Sequence, residues 1–135
     1  MISYNHENYI EQAIKSIVNQ KTSFPFELVI SDDASQDSTN EKILEATANL
    51  PKHITLRYYC QMPNIGMYAN FEIALNKCNG SYIAICEGDD YWIDDLKLEK
   101  QVSFLDKNPG YNILTGYVNQ YIDESKTFIE PETLN

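Results

Sequence analysis

The sequence predicts an α/β domain, a mostly parallel sheet with helices on both faces, and three observations predict it. Short apolar runs of strand length alternate with stretches of helical periodicity in the order β-α-β-α-β-α-β-α-β. Handedness and connection rules turn that order into parallel neighbours. Three of the runs stop, at their C-terminal ends, in polar or acidic residues: Ser3-Tyr4-Asn5, Asp32-Asp33 and Glu87-Gly88-Asp89-Asp90. In an open parallel sheet those ends share one edge, and ligands bind in the crevice where strand order reverses. Neither GxGxxG nor GxxxxGK[ST] occurs, so a phosphate would be held by side chains and a cation rather than by a cradle of backbone N–H groups.

Taken in order, 1–5 reads as the end of a strand whose beginning is missing, since a core strand has about five or six residues. Residues 7–20 follow as a helix, with Tyr9, Ala13, Ile14, Ile17 and Val18 at helical spacing and Asn5 or His6 near its start. FELVI (26–30) is a buried strand. A second helix is expected over 38–49, capped by Asp37 or Ser35, with Ile43, Leu44 and Ala48 inward; Pro51 ends it. ITLRYYC (54–60) reads as a third strand and 67–77 as a third helix, packed through Tyr68, Phe71, Ala74 and Leu75. Asn79-Gly80 closes that helix before a fourth, doubly covered strand at 82–87. Asp94 starts a fourth helix that runs to about 107 with Leu96, Leu98, Val102 and Leu105 inward, and Asn108-Pro109-Gly110 breaks it. A long aromatic strand is expected over 111–122, then a polar tail without regular structure, 123–135, containing Pro131.

The length of 135 residues and an apolar content of 43% suit one domain with a core, 1–122, its first strand incomplete. No apolar run approaches the ~20 residues of a membrane span, and no signal-peptide core is present, which points to the cytosol. The three cysteines, Cys60, Cys78 and Cys86, lack CxxC spacing; Cys60 and Cys86 fall in strand-like runs and are expected to be buried thiols. His6 and His53 are isolated, and neither is read as a ligand. A net charge of −10 argues against a nucleic-acid surface, which wants a basic stripe. It is compatible with a nucleotide diphosphate when a divalent cation lies between the two sets of anions.

Glu87-Gly88-Asp89-Asp90 carries that chemistry. Three carboxylates within four residues repel one another unless they are well solvated or share a cation. Hard oxygens on a tight turn suit Mg2+ or Mn2+. A solvated acidic turn is the plain alternative. For Asp32 and Asp37 the alternative is turn chemistry and helix capping. Tyr91 and Trp92 either plug the core behind the turn or border a sugar, and the tyrosines of 111–121 read as packing.

Taken together, ISYNHENYIEQAIKSIVNQ, FELVISDDASQDST, NIGMYANFEIAL and GSYIAICEGDDYW resemble family 2 glycosyltransferases of GT-A fold, most of all the bacterial enzymes of surface-polysaccharide assembly. The resemblance runs from Ile2 to about Tyr111 and covers the N-terminal, donor-binding part of such a domain. It implies a nucleotide pocket lined by Ser3 and Tyr4, with Tyr4 against the base and Asp33 accepting from a pyrimidine imide N–H, while Asp32 shapes the turn. Asn64, Gly66 and Asn70 match the segment beside ribose and phosphates; Ala69 replaces the arginine common just before that asparagine, which removes one contact. Glu87-Gly88-Asp89-Asp90 matches the DxD region with glutamate as its first acid. Glu87 or Asp89 then faces the ribose, and Asp89 or Asp90 ligates Mn2+ or Mg2+ against the diphosphate.

The implied reaction is inverting transfer of a sugar from a nucleotide-diphosphate sugar, a UDP-sugar, to a hydroxyl of a glycan or lipid-linked acceptor, in the cytoplasm or peripherally on the inner face of the membrane. The family's base belongs to the acceptor half, which is expected to be mostly missing here, the chain reading as truncated at both ends. Asp123 and Glu124 are acids near a strand end, and nothing qualifies either as the base. Two other functions compete: a fragment that binds nucleotide-sugar and metal without turnover, and a nucleotidyltransferase, which would carry a glycine-rich basic loop where 5–9 stands. A receiver domain would need a later strand-end lysine, and none is evident.

Overall fold

The computed structural model describes residues 1–122 and 125–129. The chain divides into two compact units, Met1–Ser103 and Phe104–Asn135. The elements are β1 (Ile2–Ser3), α1 (Ile10–Val18), β2 (Phe26–Asp32), α2 (Thr39–Thr47), β3 (Ile54–Cys60), α3 (Met67–Asn76), α4 (Lys97–Lys107), β4 (Gln120–Ile122) and β5 (Thr127–Ile129).

The first unit is built on a parallel sheet of order β1-β2-β3. Ile2 and Ser3 pair with Ser31 and Asp32, and Phe26 through Asp32 pair with Ile54 through Cys60. Strand alternation in β2 assigns its two faces. Leu28 and Ile30 join a core with Ile10, Ile14 and Ile17 of α1, Ile43 of α2 and Ile54 of β3. Ser31, one residue on, points the other way and meets Asn70 of α3. Helices therefore cover both faces of this α/β sheet. In α1 the buried set is Ile10, Ala13, Ile14 and Ile17, an i, i+3, i+4, i+7 stripe. Each isoleucine buried there contributes about 1.5–3 kcal/mol relative to exposure.

Several expectations fail locally. Residues 82–87 form no strand, and Tyr82, Ile83 and Ile85 are exposed rather than covered. A strand exists only as part of a ladder. β1 offers just Ile2 and Ser3 as partners, and one hydrogen bond, Gly88 N–H to the Ile2 carbonyl, is all that joins the segment's end to it. The expected strand at 111–122 contracts to Gln120–Ile122 and pairs antiparallel with Thr127–Ile129. The second strand of that hairpin, whose Tyr121 and Phe128 rings are 4.9 Å apart, lies where a polar irregular tail was expected. Asp123, Glu124 and Pro131 lie outside the described residues.

Leu44, Ala48, Tyr68 and Leu96 face solvent instead of the core. In α2 it is Thr39, Ile43 and Thr47 that turn inward, at i, i+4, i+8. Asn70 and Ala74 do so in α3. Cys86 is buried as expected, but Cys60, the last residue of β3, is exposed. No helix among the described residues is long and apolar enough to cross a membrane.

Candidate functional site

Two loops follow the first two strands, and hydrogen bonds between them draw them together. Asn5, in the left-handed region at φ 55°, donates its N–H to Ser35 Oγ, and its Oδ1 accepts the Gln36 N–H. The His6 N–H donates to Thr39 Oγ1 at 2.8 Å, and the Glu7 N–H to Asp37 Oδ2 at 3.1 Å. The Glu7 carboxylate in turn accepts the Ser38 N–H. Asp37 thus serves turn and helix start, also accepting the Thr39 N–H and hydroxyl. Burial works against its charged form, but these bonds outweigh it and hold its carboxyl below the ordinary 3.8.

The two adjacent aspartates at the end of β2 have separate tasks. Asp32, fully buried, accepts the Ser3 hydroxyl at 2.8 Å, the Ser35 N–H at 2.9 Å and the Ser35 hydroxyl at 2.5 Å. It shapes the turn, which also contains Ala34 at φ 60°. Asp33, 2% exposed, aims its carboxylate at the segment before α3: Oδ1 accepts the Ile65 N–H and Oδ2 the Gly66 N–H, both at 2.8 Å. Its carbonyl accepts Asn64 Nδ2. Gly66 takes φ 87°, where a side chain would be strained, and starts α3. Asn70, one turn later, clamps α3 to β2: its Oδ1 accepts the Ser31 hydroxyl at 2.6 Å and its Nδ2 donates to the Ser31 carbonyl at 2.9 Å.

The acidic turn docks on the same strand end. The Gly88 N–H donates to the Ile2 carbonyl at 3.0 Å, and the Asp33 N–H donates to the carbonyl of Ser3 at 2.9 Å. Consecutive residues of β1 therefore hold both acidic loops. Glu87 lines a small cavity with Ile2, Met67, Tyr68 and Phe71, beside the first turn of α3. The turn closes through the Asp90 N–H on the Glu87 carbonyl, and the Cys86 thiol faces the Asp90 carbonyl. Burial, assisted by the negative charge of Asp90, pushes that thiol up to about 12. Tyr4 is 45% exposed and the Asp89 side chain 49% exposed, so both are open to a ligand. Trp92 packs against the core, its backbone N–H donating to Ser16 Oγ and Lys97 Nζ lying 4.3 Å from the centre of its ring.

Of the residues singled out in the sequence, Ser3, Asp33, Asn64 and Gly66 are joined directly by hydrogen bonds, and Asn70 joins them by donating its backbone N–H to the Gly66 carbonyl at 3.0 Å. Glu87, Asp89 and Asp90 are brought up by Gly88 on Ile2. Sequence reasoning missed His6. Its ring lies against Gly88, and its Nε2 is 3.8 Å from Asp89 Oδ2. The available signal was its position directly after the first strand end, on the expected ligand edge.

Comparison with known proteins identifies the family and the fold. The family model for glycosyl transferase family 2 matches residues 1–131. An uncharacterized protein of Mycobacterium tuberculosis is 48% identical over 108 residues, covering 80% of this chain and 31% of its own length. The UDP-Glc:alpha-D-GlcNAc-diphosphoundecaprenol beta-1,3-glucosyltransferase WfgD of Escherichia coli is 35% identical over 129 residues, 96% of this chain and 47% of the relative. The chain thus spans only 31% and 47% of the length of these two relatives. Among solved structures, S. aureus TarS 1-349 in complex with UDP superposes with a TM-score of 0.68 at 29% identity, over 80% of this chain and 31% of TarS 1-349. The α/β sheet is accordingly the N-terminal part of a GT-A fold, and the chain belongs to glycosyl transferase family 2.

Proposed function

We propose that this chain is the donor-binding part of a glycosyltransferase that moves a sugar from a UDP-sugar to an acceptor hydroxyl in surface glycan assembly, with inversion. The observation that supports the reading most is the double role of β1, with Ile2 holding the Glu87–Asp90 turn and Ser3 holding Asp33. A nucleoside can then lie against one loop while its diphosphate reaches the other. The UDP bound to TarS and the UDP-glucose in WfgD's name support a uridine donor; WfgD's diphosphoundecaprenol substrate supports a lipid-linked acceptor. The same reading puts the chain in the cytoplasm, in peripheral contact with the membrane when the acceptor is lipid-linked.

In this reading Tyr4 stacks on the base beside Ser3. Each Asp33 oxygen already accepts one backbone N–H, which leaves a lone pair on each for an imide N–H. Asn64 and Gly66 border the ribose, and Asn70 acts through Ser31 by seating the first turn of α3. Glu87 or Asp89 faces the ribose, and Asp89 or Asp90 ligates the cation. The donor set fits Mn2+ or Mg2+: carboxylate oxygens only, on an accessible turn. Among the described residues no three His, Cys, Asp or Glu side chains form a cage. That suits ions that take one or two protein carboxylates and complete their shell with water and phosphate. When bound, the ion supplies charge neutralisation at the departing diphosphate. No described residue is assigned as the base that takes the acceptor's proton.

Titrating UDP into the protein with and without Mn2+ tests the reading. It predicts metal-dependent binding that weakens at least about tenfold in Asp89→Ala or Asp90→Ala. Absent or metal-independent binding contradicts it. Release of UDP from a UDP-sugar then separates an enzyme from a binding fragment.

A further inference from the structure

We propose that His6 is a positioning residue for the Glu87–Asp90 turn, its imidazole seating Gly88 and offering Nε2–H to Asp89 so that this carboxylate is held for a divalent cation. The proposal rests on the reading above, that the turn binds a cation together with a nucleotide diphosphate.

The first observation is steric. A Cβ on Gly88 would stand 2.6 Å from His6 Nδ1, and 3.1 Å from both Ile10 Cδ1 and the Ile2 carbonyl oxygen. Only glycine lets the ring lie directly against the turn. The second concerns the ring's proton. His6 Nδ1 is buried and has no hydrogen-bond partner. What fills the Cβ direction at Gly88 is a Cα hydrogen, and a lone pair tolerates that neighbour better than an N–H does. In the neutral ring the proton therefore belongs on Nε2, the only other nitrogen.

That nitrogen is the one turned toward Asp89, 3.8 Å from Oδ2. The half-exposed Asp89 side chain closes the remaining distance by rotation about its own bonds, leaving its second oxygen for the ion. The third observation is rigidity. The His6 N–H is held by Thr39 Oγ1 at 2.8 Å, and its carbonyl accepts the Tyr9 and Ile10 N–H groups, each at 2.9 Å. The ring thus projects from backbone pinned on both sides. Carboxylates that bind metals are commonly hydrogen-bonded in turn, and those partners orient them.

The test measures Mn2+ binding by the UDP-loaded protein, calorimetrically and by electron paramagnetic resonance, in wild type, His6→Phe and His6→Gln. Phenylalanine keeps the ring's bulk without a donor; glutamine places an amide N–H near the position of Nε2. His6→Phe is expected to weaken Mn2+ affinity about 10–100-fold, the usual loss for an outer-shell partner. His6→Gln should recover most of it. Metal-free melting temperatures should remain close to wild type in both.

Wild-type affinity in His6→Phe overturns the proposal. So does a glutamine variant as weak as the phenylalanine one, because packing alone would then account for the effect. Nitrogen coupling to bound Mn2+ in the wild-type echo spectrum would make His6 a ligand, which also overturns it. Failure of the underlying reading looks different: wild-type protein then takes up no Mn2+ with UDP at all.

Discussion

Replacing Asp33 by asparagine exchanges one oxygen for an NH2 group, and the surroundings make that exchange costly. Both carboxylate oxygens face backbone N–H donors, Ile65 at Oδ1 and Gly66 at Oδ2, each at 2.8 Å. An asparagine can satisfy one of them. Whichever way its amide is turned, the NH2 meets the other N–H, so two donors oppose each other across a part-buried contact. Losing a hydrogen bond to a charged acceptor costs about 1.5–3 kcal/mol, and the unsatisfied donors add about 1–3 kcal/mol. Removing a buried charge returns part of this, leaving a net loss of roughly 2–4 kcal/mol. Against a typical total of about 5–15 kcal/mol the change is readily measured.

Urea unfolding gives the global loss. Amide hydrogen exchange gives the local one, which should concentrate at Ile65 and Gly66 as a rise of at least about tenfold. UDP affinity should fall as well, because the segment before α3 loses its anchor. An unmoved urea midpoint, with Ile65 and Gly66 as protected as in wild type, would refute the assignment of Asp33 as the organiser of this segment.

Three further outcomes follow from the same structure. Asn70→Ala leaves the buried Ser31 carbonyl without its Asn70 donor and should destabilise the fold by about 2–4 kcal/mol in urea unfolding. Asp37 has a depressed carboxyl, so its stabilising share is complete above the ordinary 3.8 and disappears as pH falls through its lower folded value; acid melts of wild type and Asp37→Asn should therefore converge as pH falls below that range. At pH 8 iodoacetamide should label exposed Cys60 at least about 100-fold faster than buried Cys86, whose thiol is raised to about 12, as peptide mass spectrometry can follow.

The parts of the fold that were legible in the sequence are those whose signal is local. FELVI and ITLRYYC are continuous β-formers, and they pair in register as β2 and β3. The isoleucines of α1 carry their own period. Acids at run ends fall together because strand ends in a parallel sheet share a direction, and both acidic loops hang from consecutive residues of β1. What failed depended on partners the local sequence does not name. Residues 82–87 read as a buried strand, but burial requires a ladder, and β1 supplies two residues. Leu44 and Tyr68 obey helical spacing while the neighbouring elements leave their sides open. His6 was marked by no more than its place after the first strand end, because its partners, Gly88 and Asp89, are some eighty residues away. The bonds among Asn5, Ser35 and Gln36 that draw the first two loops together were equally hidden.

The most direct test of the account is an anomalous difference map at the manganese edge, from crystals grown with UDP and Mn2+. A single strong peak on the carboxylates of Asp89 or Asp90, shared with the diphosphate, and a uracil edge on Asp33 are the predicted result. Manganese away from that turn, or UDP seated without approaching Asp33, would contradict it.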